Sequence, residues 1–272
     1  MEYYSLVAGL VEYSFDSELK GFDPKSIIEE ILEGITEEDA VAVKLLYTYY
    51  DCLNLAALRA GRRAYNILGN IPSSELEQML LLAEGLPEEI AKVLKAYAHD
   101  EAAGEVDLNL SFESNLFAAY YAVCESSKVS FLREWSQTER NIRNVVAALT
   151  ARQMDTPVEG VLVGDGDIVE QISRSSAADF GLRGELSYID ALISAVGDDS
   201  NLLDKESRID NIKWAEATEL ATFDYFGIGA VLSYLVRLNI VARWSELNVT
   251  KGREMFERLV SQFRGESVTS KL

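Results

Sequence analysis

The chain has 272 residues, 48% hydrophobic and 26% charged, which is enough apolar material for a large core and too much for general disorder. Its 25 basic against 45 acidic side chains leave a net charge of −20, a field that repels nucleic acid and anionic lipid headgroups and attracts a basic protein partner. The longest uncharged stretch, Tyr225 to Val236, has twelve residues, short of the roughly 20 that a bilayer span needs, and the start lacks the basic n-region of a secretory signal.

Apolar spacing at i, i+3, i+4 and i+7 predicts helix over most of the chain. The opening, Tyr3 to Phe15, is short and apolar, and fits strand or buried helix equally. Pro24 opens a helix through Ile27, Ile28, Ile31 and Leu32 that Gly34 ends. Thr36 is a helix-capping hydroxyl, and Glu37, Glu38 and Asp39 complement the helix dipole. Val41 to Tyr65 then reads as one long helix or two with a kink, its single glycine being Gly61. Pro72-Ser73-Ser74-Glu75 caps Leu76 to Glu84, and Pro87 begins a helix through Ile90, Val93, Leu94 and Tyr97.

The polar stretch Asp100 to Ser114 predicts a loop between units, followed by helices over Leu116 to Cys124 and Val129 to Met154, the second stopped by Thr156-Pro157. Gly160 to Gly166 is the least helical region. Further helices are expected at Asp167 to Ser173, Leu186 to Val196, Ser207 to Thr222, Ile228 to Leu247 and Gly252 to Phe263, with a turn cluster at residues 197–201. The expected fold class is all-α, as one domain.

A recurrence runs through these helices. An aromatic precedes an Asn and a branched aliphatic at Asn54-Leu55, Asn141-Ile142 and Asn239-Ile240, with spacings of 87 and 98 residues against about 91 for a third of the chain. Ile67-Leu68-Gly69-Asn70 is echoed by Leu162-Val163-Gly164-Asp165, each followed by Glu-Gln. Self-similarity at a fixed period signals one unit built several times. The pseudo-repeats would cover roughly 1–103, 104–197 and 198–272.

No arrangement of residues points to catalysis. His99 is the single histidine and falls near a helix end, and Cys52 and Cys124 lie in apolar contexts without metal-ligand spacing, as small buried hydrophobes of a reducing compartment. The glycines of 160–166 end in Gly166-Asp167 instead of Gly-Lys-Ser/Thr, which removes a phosphate loop, and Ser176 stands where a calcium loop needs its bidentate Glu. A capped turn before a helix accounts for that segment. Acid pairs at Glu88-Glu89 and Asp198-Asp199 fall at helix starts and turns. The basic residues Arg59, Arg62, Arg63, Arg143 and Arg152 either pair with acids of neighbouring helices, the plainer reading, or form a polar surface for a partner.

Tyr49-Tyr50-Asp51-Cys52-Leu53-Asn54-Leu55-Ala56-Ala57-Leu58-Arg59-Ala60 resembles the acid-x-x-Asn-Leu…Leu-Arg-Ala helix of the central-stalk subunit of V-type ATPases, called C in bacteria and archaea and d in eukaryotes. Glu139 to Val146 looks like its second copy, and Phe226-Gly227-Ile228-Gly229 through Leu247 like its third. The second copy departs from the first, with Thr138 in place of Asp51 and Val146 in place of Arg59. The opening Tyr3 to Leu10 is similar to a bacterial family of unassigned function encoded among V-type ATPase genes.

The resemblance implies three diverged helical bundles in a pseudo-threefold arrangement. It implies a non-catalytic rotor adaptor that links the axle subunits (D/F type) to the membrane rotor ring and transmits torque for ion transport. Such a subunit takes no cofactor, metal, nucleotide or small-molecule substrate, and is cytoplasmic, held at the inner membrane through the complex. The alternatives are an acidic helical scaffold or regulatory binding protein unrelated to rotation, and an enzyme with a carboxylate site.

Overall fold

A computed structural model describes residues 2–14, 22–99, 106–198 and 201–246, His99 by its backbone alone. The described residues form eleven α-helices and no strand, so the fold class is all-α. In chain order these are α1 (Tyr4–Gly9), α2 (Pro24–Gly34), α3 (Glu37–Arg59), α4 (Leu76–Leu82), α5 (Glu88–His99) and α6 (Phe112–Glu125). They continue with α7 (Ser130–Gln153), a 3₁₀ turn (Glu159–Val161), α8 (Asp167–Arg174), α9 (Ile189–Gly197), α10 (Leu202–Leu220) and α11 (Ile228–Glu246). Within the opening segment Tyr4–Gly9 is a short helix, while Phe15 and the expected helix at 252–263 lie outside the described residues.

Local chemistry sets the starts. Asp23 Oδ1 accepts from the amides of Lys25 (3.1 Å) and Ser26 (3.3 Å) ahead of Pro24, and Thr36 Oγ1 accepts from Asp39 N at 3.3 Å. Ser111 Oγ accepts from Ser114 N at 3.0 Å, so α6 begins at Phe112, inside the stretch expected to be loop. Asn201 Oδ1 accepts from Leu203 N at 3.0 Å and starts α10 five residues early. Asp224 takes the amides of Gly227 and Gly229, at 2.6 and 2.9 Å, and leads into α11.

The helix expected from the Thr36 cap through Tyr65 begins as read and is corrected at its far end. α3 starts at Glu37 because Thr36 caps it, and stops at Arg59 because Gly61 adopts φ +68°. There the amides of Gly61 and Arg62 bond back to the carbonyls of Leu58 and Ala57, a left-handed close of the kind glycine permits. The capped turn expected before α8 has no side-chain cap; Gly166, with φ +106°, occupies that position.

The long helices α3, α7 and α11 carry buried side chains around most of their circumference, which places them inside the molecule. Helix α6 packs on α3, α5 and α7; α10 packs on α7, α9 and α11; α11 also meets α2, α3 and α7. The larger apolar cluster joins α2–α7, α10 and α11 around Tyr47, Leu55, Phe117, Tyr121, Leu132 and Leu235. A second, around Ile142, Val145, Ile172, Phe180, Leu182 and Leu192, fills the space between α7, α8, α9 and α10.

Candidate functional site

Two loops are clasped by asparagines, one on α3 and one on α7. Asn54 Nδ2 donates to Asn66 O at 2.9 Å while Asn66 N donates to Asn54 Oδ1 at 2.7 Å. Asn144 does the same with Val163: Nδ2 to the carbonyl at 2.9 Å, and the amide to Oδ1 at 2.9 Å. The asparagine of α7 that makes the same pair of bonds as Asn54 is Asn144, one helical turn beyond the Asn141 of the recurrence. Asn141 then stands at the position of Asp51. Asp51 holds the same loop as Asn54, accepting from Ile71 N at 2.9 Å and Asn70 Nδ2 at 2.7 Å. Gly69 lies so close beneath that a Cβ there would sit 2.7 Å from Asp51 Oδ1.

Between α3, α6, α7, α10 and α11 lies a cavity of about 470 Å³. Its apolar wall is aromatic: Tyr49 and Tyr50 from α3, Tyr120 and Tyr121 from α6, and Trp135 from α7. The clasped loop adds Asn66, Ile67 and Leu68. Two ion pairs complete the wall. Glu139, only 6% exposed, accepts from the Tyr121 hydroxyl and from Lys213 Nζ at 3.2 Å. Asp210, 2% exposed, accepts from Arg243 Nη1 at 2.7 Å and Trp244 Nε1 at 2.8 Å, and Arg243 also binds Glu206.

Both carboxylates are thus buried with hydrogen-bonded partners, the condition for keeping charge away from water. Burial pushes the Tyr49 and Tyr50 hydroxyls well above their usual range, with Glu139 adding to the effect, so both stay protonated. Asn239 of α11 accepts the Tyr47 hydroxyl at 3.0 Å at the edge of this space.

The five arginines expected at a partner surface separate. Arg59 donates to Tyr97 O at 3.0 Å, with its guanidinium 4.9 Å from the centre of the Phe112 ring. Arg62 (3.4 Å) and Arg143 (3.2 Å) share Glu113 at the start of α6, and Arg143 lies 4.1 Å from the centre of the Phe117 ring. Arg63 is exposed beside them in sequence. Arg152 is elsewhere, tying the end of α7 to Ser175 O and to Ala177 O (2.7 Å) over the Phe180 ring. Four of the five hold helices of this chain together.

The cavity residues Glu139, Lys213, Asp210 and Arg243 carry no sequence signal as a set, being scattered over α7, α10 and α11. Of the cavity's other lining residues, Tyr50, Ile67, Leu68, Trp135, Asn239 and Ile240 belong to the recurrence. Cys52 and Cys124 are buried and unpaired, and burial raises both thiols, Cys124 to about 12, which suppresses the reactive thiolate. No cluster of three or more histidines, cysteines and carboxylates among the described residues is placed to hold a metal ion. No described helix is long and apolar enough to cross a membrane.

Among curated proteins, none matches this chain. The profile of the family described as "Protein of unknown function (DUF2764)" matches residues 1–267, nearly the full length, and the chain belongs to that family.

Proposed function

We propose that this chain is the non-catalytic central-rotor adaptor of a bacterial V-type (V/A-type) ATPase, a socket between the axle subunits and the membrane ring that passes torque during ion transport. The observation that carries the reading is the repeated asparagine clasp. Asn54 grips the loop after α3, and Asn144, 90 positions later in the chain, grips the loop after α7 with the same pair of bonds. A duplicated unit would account for the same pair of bonds at that interval.

The packing of α3 on α6, α7 on α10 and α11 on α2 supports a third copy closing on the first, as a pseudo-threefold arrangement of units near 1–103, 104–197 and 198–272 requires. The cavity lies where those units would meet, and its aromatic wall suits the seating of a protein segment. Long helices tied by buried hydrogen bonds give the stiffness that torque transfer needs. In this reading the chain works in the cytoplasm, at the inner membrane through the complex alone.

The test is affinity purification of the tagged chain from native membranes. Recovery of axle (D/F type) and ring subunits in fixed ratio is the expected result. Their absence from a complex that otherwise stays intact overturns the reading in favour of an acidic helical scaffold.

A further inference from the structure

The cavity has unequal needs on its two sides of hydrogen bonding. Its acceptors are satisfied: Glu139 has Tyr121 and Lys213, and Asp210 has Arg243 and Trp244. Some of its neutral donors are not. Trp135 is 6% exposed and Asn239 7%, and both line the cavity, yet neither Trp135 Nε1 nor Asn239 Nδ2 donates to any group among the described residues. The Tyr50 hydroxyl on the same wall likewise donates to none. Neither nitrogen is among the fully buried atoms left without a partner, so each N–H reaches open space, where an entering acceptor can take it.

Charge narrows what that acceptor belongs to. A cation entering the cavity competes with Lys213 and Arg243 for carboxylates that already hold two partners each. An anion meets Glu139 and Asp210 within a chain whose net charge is −20. The occupant that suits aromatic walls, free N–H donors and both exclusions is neutral and apolar and carries carbonyl oxygens. A volume of about 470 Å³ suits an occupant of a few residues, within the range of roughly 300–1,000 Å³ common for ligand pockets.

We infer that this cavity binds a neutral, carbonyl-bearing apolar group, and that its source is a partner's polypeptide, whose backbone carbonyls accept from Trp135 Nε1 and Asn239 Nδ2. The choice of a polypeptide over a free amide or ketone rests on the socket reading above; the chemistry of the cavity does not.

The test follows the indole N–H resonance of Trp135 in protein labelled with ¹⁵N-tryptophan, identified by its loss in Trp135→Phe. Three probes share one ring: N-acetylphenylalaninamide (neutral), N-acetylphenylalanine (anionic) and phenylethylamine (cationic). The neutral amide should move the resonance, and the two ions should bind at least about fivefold more weakly. Trp135→Phe, which keeps the ring and removes the donor, should weaken the neutral probe by about fivefold to tenfold, followed by calorimetry, with an unchanged unfolding midpoint.

Preference for either ion, or no response to any probe at millimolar concentration, overturns the site. The source is tested with purified axle subunits. Loss of axle binding in Trp135→Phe in parallel with the probe supports the polypeptide. Axle binding unaffected by Trp135→Phe overturns it in favour of a free carbonyl compound. Wild-type protein that binds the neutral probe and no axle subunit ends the rotor reading and the polypeptide source together, and leaves the cavity's chemistry standing.

Discussion

Asn144 closes on the backbone of Val163 from both sides, its amide donating to the carbonyl and its oxygen accepting from the N–H, each at 2.9 Å and out of contact with water. The four groups satisfy one another completely, which is why a loop without regular structure can sit against the middle of α7. Asn144→Ala leaves two buried backbone groups unpaired and should lower unfolding free energy by about 2–4 kcal/mol in urea titration, with little change in slope. Asn54→Ala should cost less, because Asn66 is half-buried and water can replace part of the loss. Equal small losses, under about 0.5 kcal/mol, would mean that the clasps do not hold the loops.

Gly69 is required by space. A methyl there meets Asp51 Oδ1 at 2.7 Å and Asn54 Nδ2 at 3.0 Å, both fixed by the loop they hold. Gly69→Ala should destabilise by about 1–3 kcal/mol. Gly160→Ala, with nothing within 4 Å of the added carbon, serves as the control and should leave the thermal midpoint unchanged.

The Asp210 pair tests how much the cavity wall contributes to the fold. Asp210→Ala removes the acceptor that Trp244 Nε1 uses and one partner of Arg243. The loss should be about 2–3 kcal/mol, below that of a wholly buried pair, because Arg243 is 45% exposed and keeps Glu206. Differential scanning calorimetry measures it directly.

Stability should rise as pH falls from neutral towards the ordinary carboxylate range of about 4 to 4.5. Burial raises the carboxyls of Asp51, Glu125 and Glu216; the Ile71 and Asn70 bonds oppose it at Asp51 and Arg140 opposes it at Glu125, while Glu219 adds to it at Glu216. Each group therefore binds its proton at higher pH in the folded chain than in the unfolded one. Within that window the native state carries the extra protons and gains stability on acidification, and relief of self-repulsion in a chain of net charge −20 acts in the same direction. A thermal midpoint that falls steadily over this range would contradict the shifts.

Replacing Arg59, Arg62 and Arg63 together by Glu should weaken assembly with a partner whose docking surface there is acidic, while the isolated fold survives. The fold will not be untouched, since Arg59 stacks on Phe112 and Arg62 pairs with Glu113; a loss of about 1–2 kcal/mol is expected. Unchanged recovery of partners in affinity purification would remove this surface from consideration.

Helix content and several boundaries were legible from residue order alone, because caps and breakers act locally. Asp23-Pro24, Thr36 with its following acids, and Thr156-Pro157 each act within about one turn of chain. Which asparagine of α7 grips a loop was not legible. Asn141 and Asn144 are both buried asparagines on one helix, and only the loop that returns to Asn144 distinguishes them.

The arginines illustrate the converse: their positions stand out along the chain, yet Glu113, Tyr97 O and Ala177 O claim them only once α5, α6 and the loop after α8 are packed. The cavity was the least legible of all. Trp135, Glu139, Asp210, Lys213, Asn239 and Arg243 have no common spacing, and burial, charge pairing and unmet donors are properties of neighbours in space. Sequence by itself determined that this chain makes helices and where many begin, since those forces span a few residues. Tertiary packing alone decided which polar groups face one another, because that depends on contacts up to 225 residues apart, as between Glu12 and Arg237.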